Sequence, residues 1–198
     1  MSASRLAKRF ALGTAALLVA PLILAARIER RLGASDLLFT LGAELLALGP
    51  GSPGVYMRIA YYRFTLEQCA WEAHVGFGSV FVRRAASLGH RASMGRYCVI
   101  GDAQIGEGVM IGSRVSVPSG KRQHLDAVGR LSAAEGQFDR VTIGAGCWVG
   151  EGAIVMSDIG AGCIVAAGAV VSSAMPARSM VAGNPARAVR AVESVERA

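Results

Sequence analysis

The chain's 198 residues hold three histidines, His74, His90 and His124. An imidazole titrates near neutrality, so it takes up and returns protons under physiological conditions. His124 stands apart from the other two. It lies in Pro118 to Phe138 (PSGKRQHLDAVGRLSAAEGQF), a polar stretch rich in charge, Gly and Ser. Loops of that length are usually functional or disordered, and this one holds His124. His74 and His90 read as residues of regular faces or corners. The cysteines, Cys69, Cys98, Cys147 and Cys163, follow no CxxC or zinc-like spacing. They read as small buried thiols in a reducing compartment.

The elements that must position His124 announce themselves by a six-residue beat. A branched aliphatic residue followed by Gly recurs at Ile105-Gly106, Ile111-Gly112 and then Val117. After the interruption it resumes at Ile143-Gly144, Val149-Gly150 and Val155, then at Ile159-Gly160, Val165-Ala166 and Val171. No helix has that period, and a plain strand alternates every two residues. A short repeat of this kind predicts a parallel β-helix, with one short strand and one corner per hexapeptide. Hydrophobic content of 53% with only 6% aromatics suits a narrow interior. The beat is first heard near Val75-Gly76, and it slips between Ile100 and Ile105 and between Val155 and Ile159. The two tracts, 75–118 and 139–176, predict four to five coils.

The N-terminal third is different. Phe10 to Ala26 (FALGTAALLVAPLILAA) carries no charge and is flanked by Arg5, Lys8 and Arg9 and by Arg27, Arg30 and Arg31. A helix of that length is about 26 Å long, at the lower limit for a bilayer. It reads as a membrane anchor, spanning or re-entrant, with a cleaved signal peptide and a buried helix as alternatives. Ser35 or Asp36 can cap a second helix, on which Leu37, Leu38, Leu41, Leu45 and Leu46 form one stripe. Val55 to Glu67 reads equally as an interfacial helix, with Arg58 and Arg63 reaching phosphates, or as the cap on the open end of the solenoid. The net charge of +7 points to an anionic membrane surface. No nucleic-acid-binding motif is present. The segments expected are an anchor over 1–33, helices over 34–72, a β-helix over 73–176 with a loop at 118–138, and a tail over 177–198.

The closing blocks VTIGAGCWVGEGAIV (141–155), IGAGCIVAAGAVVSS (159–173) and VAGNPARAV (181–189) resemble the endings of the hexapeptide-repeat acyltransferases. These are left-handed parallel β-helix proteins that include the maltose and galactoside, xenobiotic and polysaccharide O-acetyltransferases. The resemblance covers about residues 75 to 190. It implies a left-handed coil, acetyl-CoA as co-substrate, no metal, and a homotrimer with active sites between subunits. It implies that His124 is the general base on an acceptor hydroxyl, with Tyr97, Arg122, Gln123 and Asp126 as the acceptor-binding residues. It also implies that Trp148, Gly150, Ala166, Gly168 and Ser172 line the pantetheine, and that Arg187 meets the CoA phosphates. Two positions depart from the family. Tyr97 stands where several relatives have an acceptor-binding Asn, and Ser173 stands where many have a Lys.

The function expected is an O-acetyltransferase acting on a saccharide or glycolipid in envelope or exopolysaccharide biosynthesis. It would sit at the inner membrane with its catalytic domain in the cytoplasm. One alternative is a non-catalytic trimeric scaffold. Another is a metalloenzyme resembling the γ-class carbonic anhydrases, which need three closely placed histidines around zinc.

Overall fold

The computed structural model describes residues 3–33, 35–126, 129–131 and 137–192. The rest of the expected anchor, loop and tail lies outside the described residues. Four helices come first: α1 (Ala3–Leu18), α2 (Ala20–Arg31), α3 (Leu37–Ala47) and α4 (Gly51–Thr65). A parallel β-helix follows. Its first coil is β1 (Gln68–Cys69), β2 (His74–Val75) and β3 (Val80–Phe81). The second is β4 (Ser87–Leu88), β5 (Ser93–Met94) and β6 (Val99–Ile100). The third is β7 (Ala103–Ile105), β8 (Met110–Ile111) and β9 (Ser116–Val117). The fourth is β10 (Val141–Ile143), β11 (Trp148–Val149) and β12 (Ile154–Val155). The fifth opens on a single bridging residue, Ile159, and continues as β13 (Ile164–Val165) and β14 (Val170–Val171). A partial sixth turn carries Met175, then β15 (Ser179–Gly183), which pairs antiparallel with β16 (Ala186–Ala191).

Stacking in register makes three faces. Face one holds β1, β4, β7 and β10; face two holds β2, β5, β8, β11, β13 and β15, with β16 at its edge; face three holds β3, β6, β9, β12 and β14. Most rungs turn two residues inward. A small one at the corner (Ala73, Ala92, Cys147 or Cys163) is followed, two positions on, by a larger one in the strand. The interior is narrow, so volume is tightly matched along each stack. The solenoid begins earlier than the beat predicts, at Gln68, because Cys69 takes an inward place with no Gly after it. It also runs past 176, since β15 extends face two.

The first two corners keep strict spacing. From face one to face two, and from face two to face three, every inward residue is followed by the next one six positions later. The third corner, which leads back to face one of the next coil, obeys no such rule. The steps there run from Phe81 to Leu88, Ile100 to Ile105, Val117 to Ile143, Val155 to Ile159 and Val171 to Met175. Every irregularity heard in the sequence falls at this one edge.

The helices close the open end of the first coil. α4 packs on β1 and β2, and α3 on β3. Tyr61, Tyr62 and Phe39 are buried at that junction, with Tyr62 and Phe81 rings in edge contact at 4.9 Å. The structure gives α4 the capping role. Arg58 is wholly buried and reaches no lipid phosphate. Its guanidinium donates to the carbonyls of Leu46, Gly49 and Val75 at 2.8–3.0 Å, which satisfies the last turn of α3. At the other end of α3 the cap comes neither from Ser35 nor through an Asp36 side-chain bond. Buried Glu29 of α2 accepts from the Leu38 and Phe39 amides at 2.7 and 3.1 Å instead. Glu29 also pairs with Arg84, which holds Asp36 as well. α3 buries Phe39, Gly42, Ala43 and Ala47, while Leu37, Leu41, Leu45 and Leu48 face outward. Most of the leucine stripe therefore points away from the core, while Leu46 packs against it.

Candidate functional site

The long excursion after β9 leaves the prism through a braced neck. Ser119 is buried, its hydroxyl accepts from the Asp102 amide at 2.8 Å, and its carbonyl accepts from the Asp139 amide at 3.1 Å. Gly120 has φ +75°, and a Cβ there would lie 2.7 Å from the Asp139 side chain. Only Gly fits that pinch between the outgoing and returning strands. Arg122 clamps the same Asp139 with two hydrogen bonds of 2.9 and 3.1 Å. This pairing holds the Asp139 carboxyl below its usual range. On the return leg Arg140 binds Glu67 and Asp102 at 2.7 and 2.8 Å and the Ala85 carbonyl at 2.8 Å. One side chain thereby ties the loop to the edges of earlier coils.

His124 sits beyond this neck, exposed, in a turn where Leu125 donates to the Arg122 carbonyl and bridges to Leu131. Its expected neighbours are near in sequence but already engaged. Arg122 holds Asp139, Gln123 donates to the Gly120 carbonyl at 3.3 Å, and Asp126 pairs with Arg130 at 3.1 Å. In this structure the three shape the loop. Lys121 lacked any sequence signal, and it reaches across the third corner to the Ser172 carbonyl at 3.4 Å. Of the residues expected along the pantetheine, Ser172 therefore joins the loop's edge.

The others lie elsewhere on the prism. Gly150, Ala166 and Gly168 occupy the second corner, where Gly150 donates to the Val165 carbonyl and Ala166 to Val181, both at 2.8 Å. Trp148 faces outward from face two beside that corner, 52% exposed and in register with Met110 and Ile164. Arg187 projects from β16, exposed, with no carboxylate partner among the described residues. Tyr97 also lies at the second corner, with φ +56° and its ring set edge-on to Phe77 at 5.6 Å. Within one chain the predicted residues thus fall into two groups. His124, Arg122, Gln123, Asp126 and Ser172 share the third corner, while Tyr97, Trp148, Gly150, Ala166 and Gly168 share the second. The whole of face three separates them.

The remaining histidines and the thiols are otherwise occupied. His90 lies between Glu72 and Glu107 at 3.7 and 3.6 Å on the surface. Burial first, then the Arg58 charge, lowers the His74 pKa. Burial pushes the Cys147 thiol up to about 11 and Cys69 up to about 12, so both are protonated at neutral pH and are poor nucleophiles. Among the described residues no group of three or more His, Cys, Asp or Glu is placed to hold a metal ion.

No family model and no curated protein matches the sequence. Solved structures do match. A galactoside acetyltransferase in complex with coenzyme A superposes with a TM-score of 0.64, covering 85% of this chain and 91% of that one at 18% identity. A hexapeptide-repeat acetyltransferase from Vibrio cholerae O1 biovar eltor, complexed with acetyl coenzyme A, gives 0.62 over 82% and 92% at 23% identity. A maltose O-acetyltransferase from Clostridium difficile 630 gives 0.61 over 79% and 86% at 20% identity. The fold of this chain is that of the hexapeptide-repeat acetyltransferases.

Proposed function

We propose that this protein is an O-acetyltransferase that moves an acetyl group from acetyl-CoA to a hydroxyl of a saccharide or glycolipid. The observation that carries the reading is the third corner, where a regular prism sends out one braced loop with an exposed imidazole on it. His124 takes the proton of the acceptor hydroxyl while its oxygen attacks the thioester carbonyl. The tetrahedral intermediate then collapses, the C–S bond breaks, and the CoA sulfur leaves with the proton that His124 returns. A backbone N–H would steady the oxyanion. No acyl-enzyme is required, in keeping with thiols held protonated by burial.

The separation of the two residue groups supports a homotrimer, and the left-handed coil of the family is part of the same reading. The third corner of one prism would meet the second corner of its neighbour, and acetyl-CoA would lie between them. Gly150, Ala166 and Gly168 leave room for a slender chain, Trp148 offers it an apolar wall, and Arg187 offers the phosphates a charge. A membrane-associated protein at the cytoplasmic face is part of the same reading, since acetyl-CoA is cytosolic. The support is an outward apolar surface: Phe10, Leu17, Leu18 and Leu24 on α1–α2, and the leucine stripe of α3. No single described helix is long and apolar enough to cross a bilayer, but Phe10–Leu18 and Ala20–Arg31 together pass that test with a bend of 62°.

The test is CoA release by the purified full chain with acetyl-CoA and a panel of saccharide acceptors. His124→Ala should abolish it, and unchanged turnover in that variant sinks the assignment. Failure of CoA to raise the melting temperature would favour a scaffold.

A further inference from the structure

Three cavities meet end to end where the helices join the prism. The first is an open groove of about 530 Å³ beside the α1–α2 bend, lined chiefly by Gly13, Leu17, Ile23, Leu24, Ile28 and Phe64. The second, about 370 Å³, is lined by Arg27, Arg30, Arg31 and Arg84 with Phe64 and Thr65. The third, about 430 Å³, lies between Arg30, Arg83, Arg84, Glu67, Asp102 and Phe138. Arg27, Arg31 and Phe64 border both the first and the second, while Arg30 and Arg84 border both the second and the third. The result is one track, apolar at one end, strongly cationic in the middle and mixed at the other end.

The charges in the middle are unequal. Arg84 is balanced by Glu29 and Asp36 and donates to the Ala26 carbonyl at 2.7 Å. Arg27, Arg30 and Arg31 have no carboxylate within 4 Å among the described residues. Three guanidinium groups gathered on one pocket repel one another, and a phosphate removes that repulsion while accepting their forked hydrogen bonds. A free anion would leave the adjoining apolar groove bare, and a plain alcohol would leave the arginines unanswered. The mixed end leads to Phe138, which lies under the Arg83 guanidinium at 3.9 Å. Phe138 stands on the return leg of the loop that bears His124.

We propose that this track binds a phosphate ester of a long aliphatic or isoprenoid alcohol drawn from the membrane. The chain lies in the α1–α2 groove, the phosphate sits on Arg27, Arg30 and Arg31, and the head group points past Phe138 toward the loop. Acetylation of that head group rests on the transferase reading; binding of the lipid phosphate does not.

Calorimetric titration of the full chain in a non-ionic detergent tests it, with farnesyl phosphate, farnesol and inorganic phosphate as probes. Farnesyl phosphate should bind at least tenfold more tightly than either of the others. Arg27→Gln/Arg30→Gln/Arg31→Gln should bring it down to the level of farnesol, because all three side chains are exposed and support no packing. Leu24→Asn should weaken farnesyl phosphate and farnesol by the same factor. Circular dichroism and the CoA-induced thermal shift, followed in each variant, report that the prism is intact. Equal affinity for farnesol, phosphate alone binding as tightly, an indifferent triple variant, or displacement of farnesyl phosphate by CoA would each overturn the proposal. Tight, arginine-dependent farnesyl phosphate binding without any CoA binding would uphold the lipid site and sink the transferase reading.

Discussion

The first two corners of the prism and the third corner are built from the same chain under opposite rules. At the first two, the residue after most inward strand residues is a Gly that approaches the next coil too closely for a side chain. A Cβ on Gly144 would lie 2.4 Å from the Ala161 amide nitrogen, and one on Gly150 would lie 2.5 Å from that of Ala167. Two positions later the backbone turns into the left-handed region, at Gly146, Gly152, Gly162 and Gly168 but also at Arg91, Tyr97, Arg114 and Arg178. The third corner uses each device once, at Gly101, where a Cβ would lie 2.7 Å from the Ser119 amide nitrogen, and at Gly120 with φ +75°. It is held by side chains, among them Ser119, Asp158, Asp139 and Arg140. A corner stacked backbone on backbone tolerates no insertion. A corner secured by side chains accommodates a long one, and there the chain places its candidate chemistry.

The largest effect that would break this contrast concerns rate. His124→Ala should lower acetyl transfer by about 10²- to 10⁴-fold, the usual worth of a general base, with no change in melting temperature. A parallel fall in stability would mean that the loop supports the prism. Next comes a pair of glycines at the same corner. Gly150→Ala forces a methyl group into the next coil and should cost about 2–3 kcal/mol in a denaturant titration. Gly168→Ala meets nothing within 4 Å and has only its φ of +68° to overcome, about 1 kcal/mol. Equal losses would mean that strain, and not coil-to-coil contact, dictates both. In the opposite direction, Tyr97→Gly should relieve a left-handed backbone and gain about 0.5–1 kcal/mol while changing the KM for acceptor. A gain in stability with unaltered KM would remove Tyr97 from the site.

The smallest effect is on the loop brace. Arg140→Ala should change global stability by less than about 1 kcal/mol, because the pairs are partly exposed. Hydrogen exchange at the return leg should nevertheless quicken. Hydrogen bonds from Arg122 and Arg140 depress the carboxyls of Asp139 and Glu67. Their contribution is therefore complete above the ordinary carboxylate range and is lost only as pH falls through the lowered values. Exchange at these segments, corrected for intrinsic rates, should be flat from pH 7 to 5 and rise only below about 4. A rise near pH 6 would point to a histidine instead.

Much of this was legible in the chain itself. Period six fixes where backbone must meet backbone, and such contacts repeat regardless of what surrounds them. Hence Ile143, Val149 and Val155 were identifiable as inward residues from their spacing alone. The place of His124 was legible for the converse reason, as the gap in the rhythm. The start at Cys69 was not, because an inward cysteine with no Gly after it breaks the pattern the eye follows. Nor could the use of Arg58 be read, since a buried guanidinium serving four carbonyls looks in sequence like any helix arginine.

The amino-acid sequence by itself determined the solenoid, its inward residues and the interruption, because these depend on near neighbours and a strict repeat. Tertiary structure alone decided that every irregularity shares one edge, that Lys121 reaches Ser172 across that edge, and that Trp148 and His124 lie on different corners. It also turned most of the α3 leucines outward and gathered Arg27, Arg30 and Arg31 beside Arg84. Those relations join residues far apart in the chain, and only coiling and helix docking bring them within reach of one another.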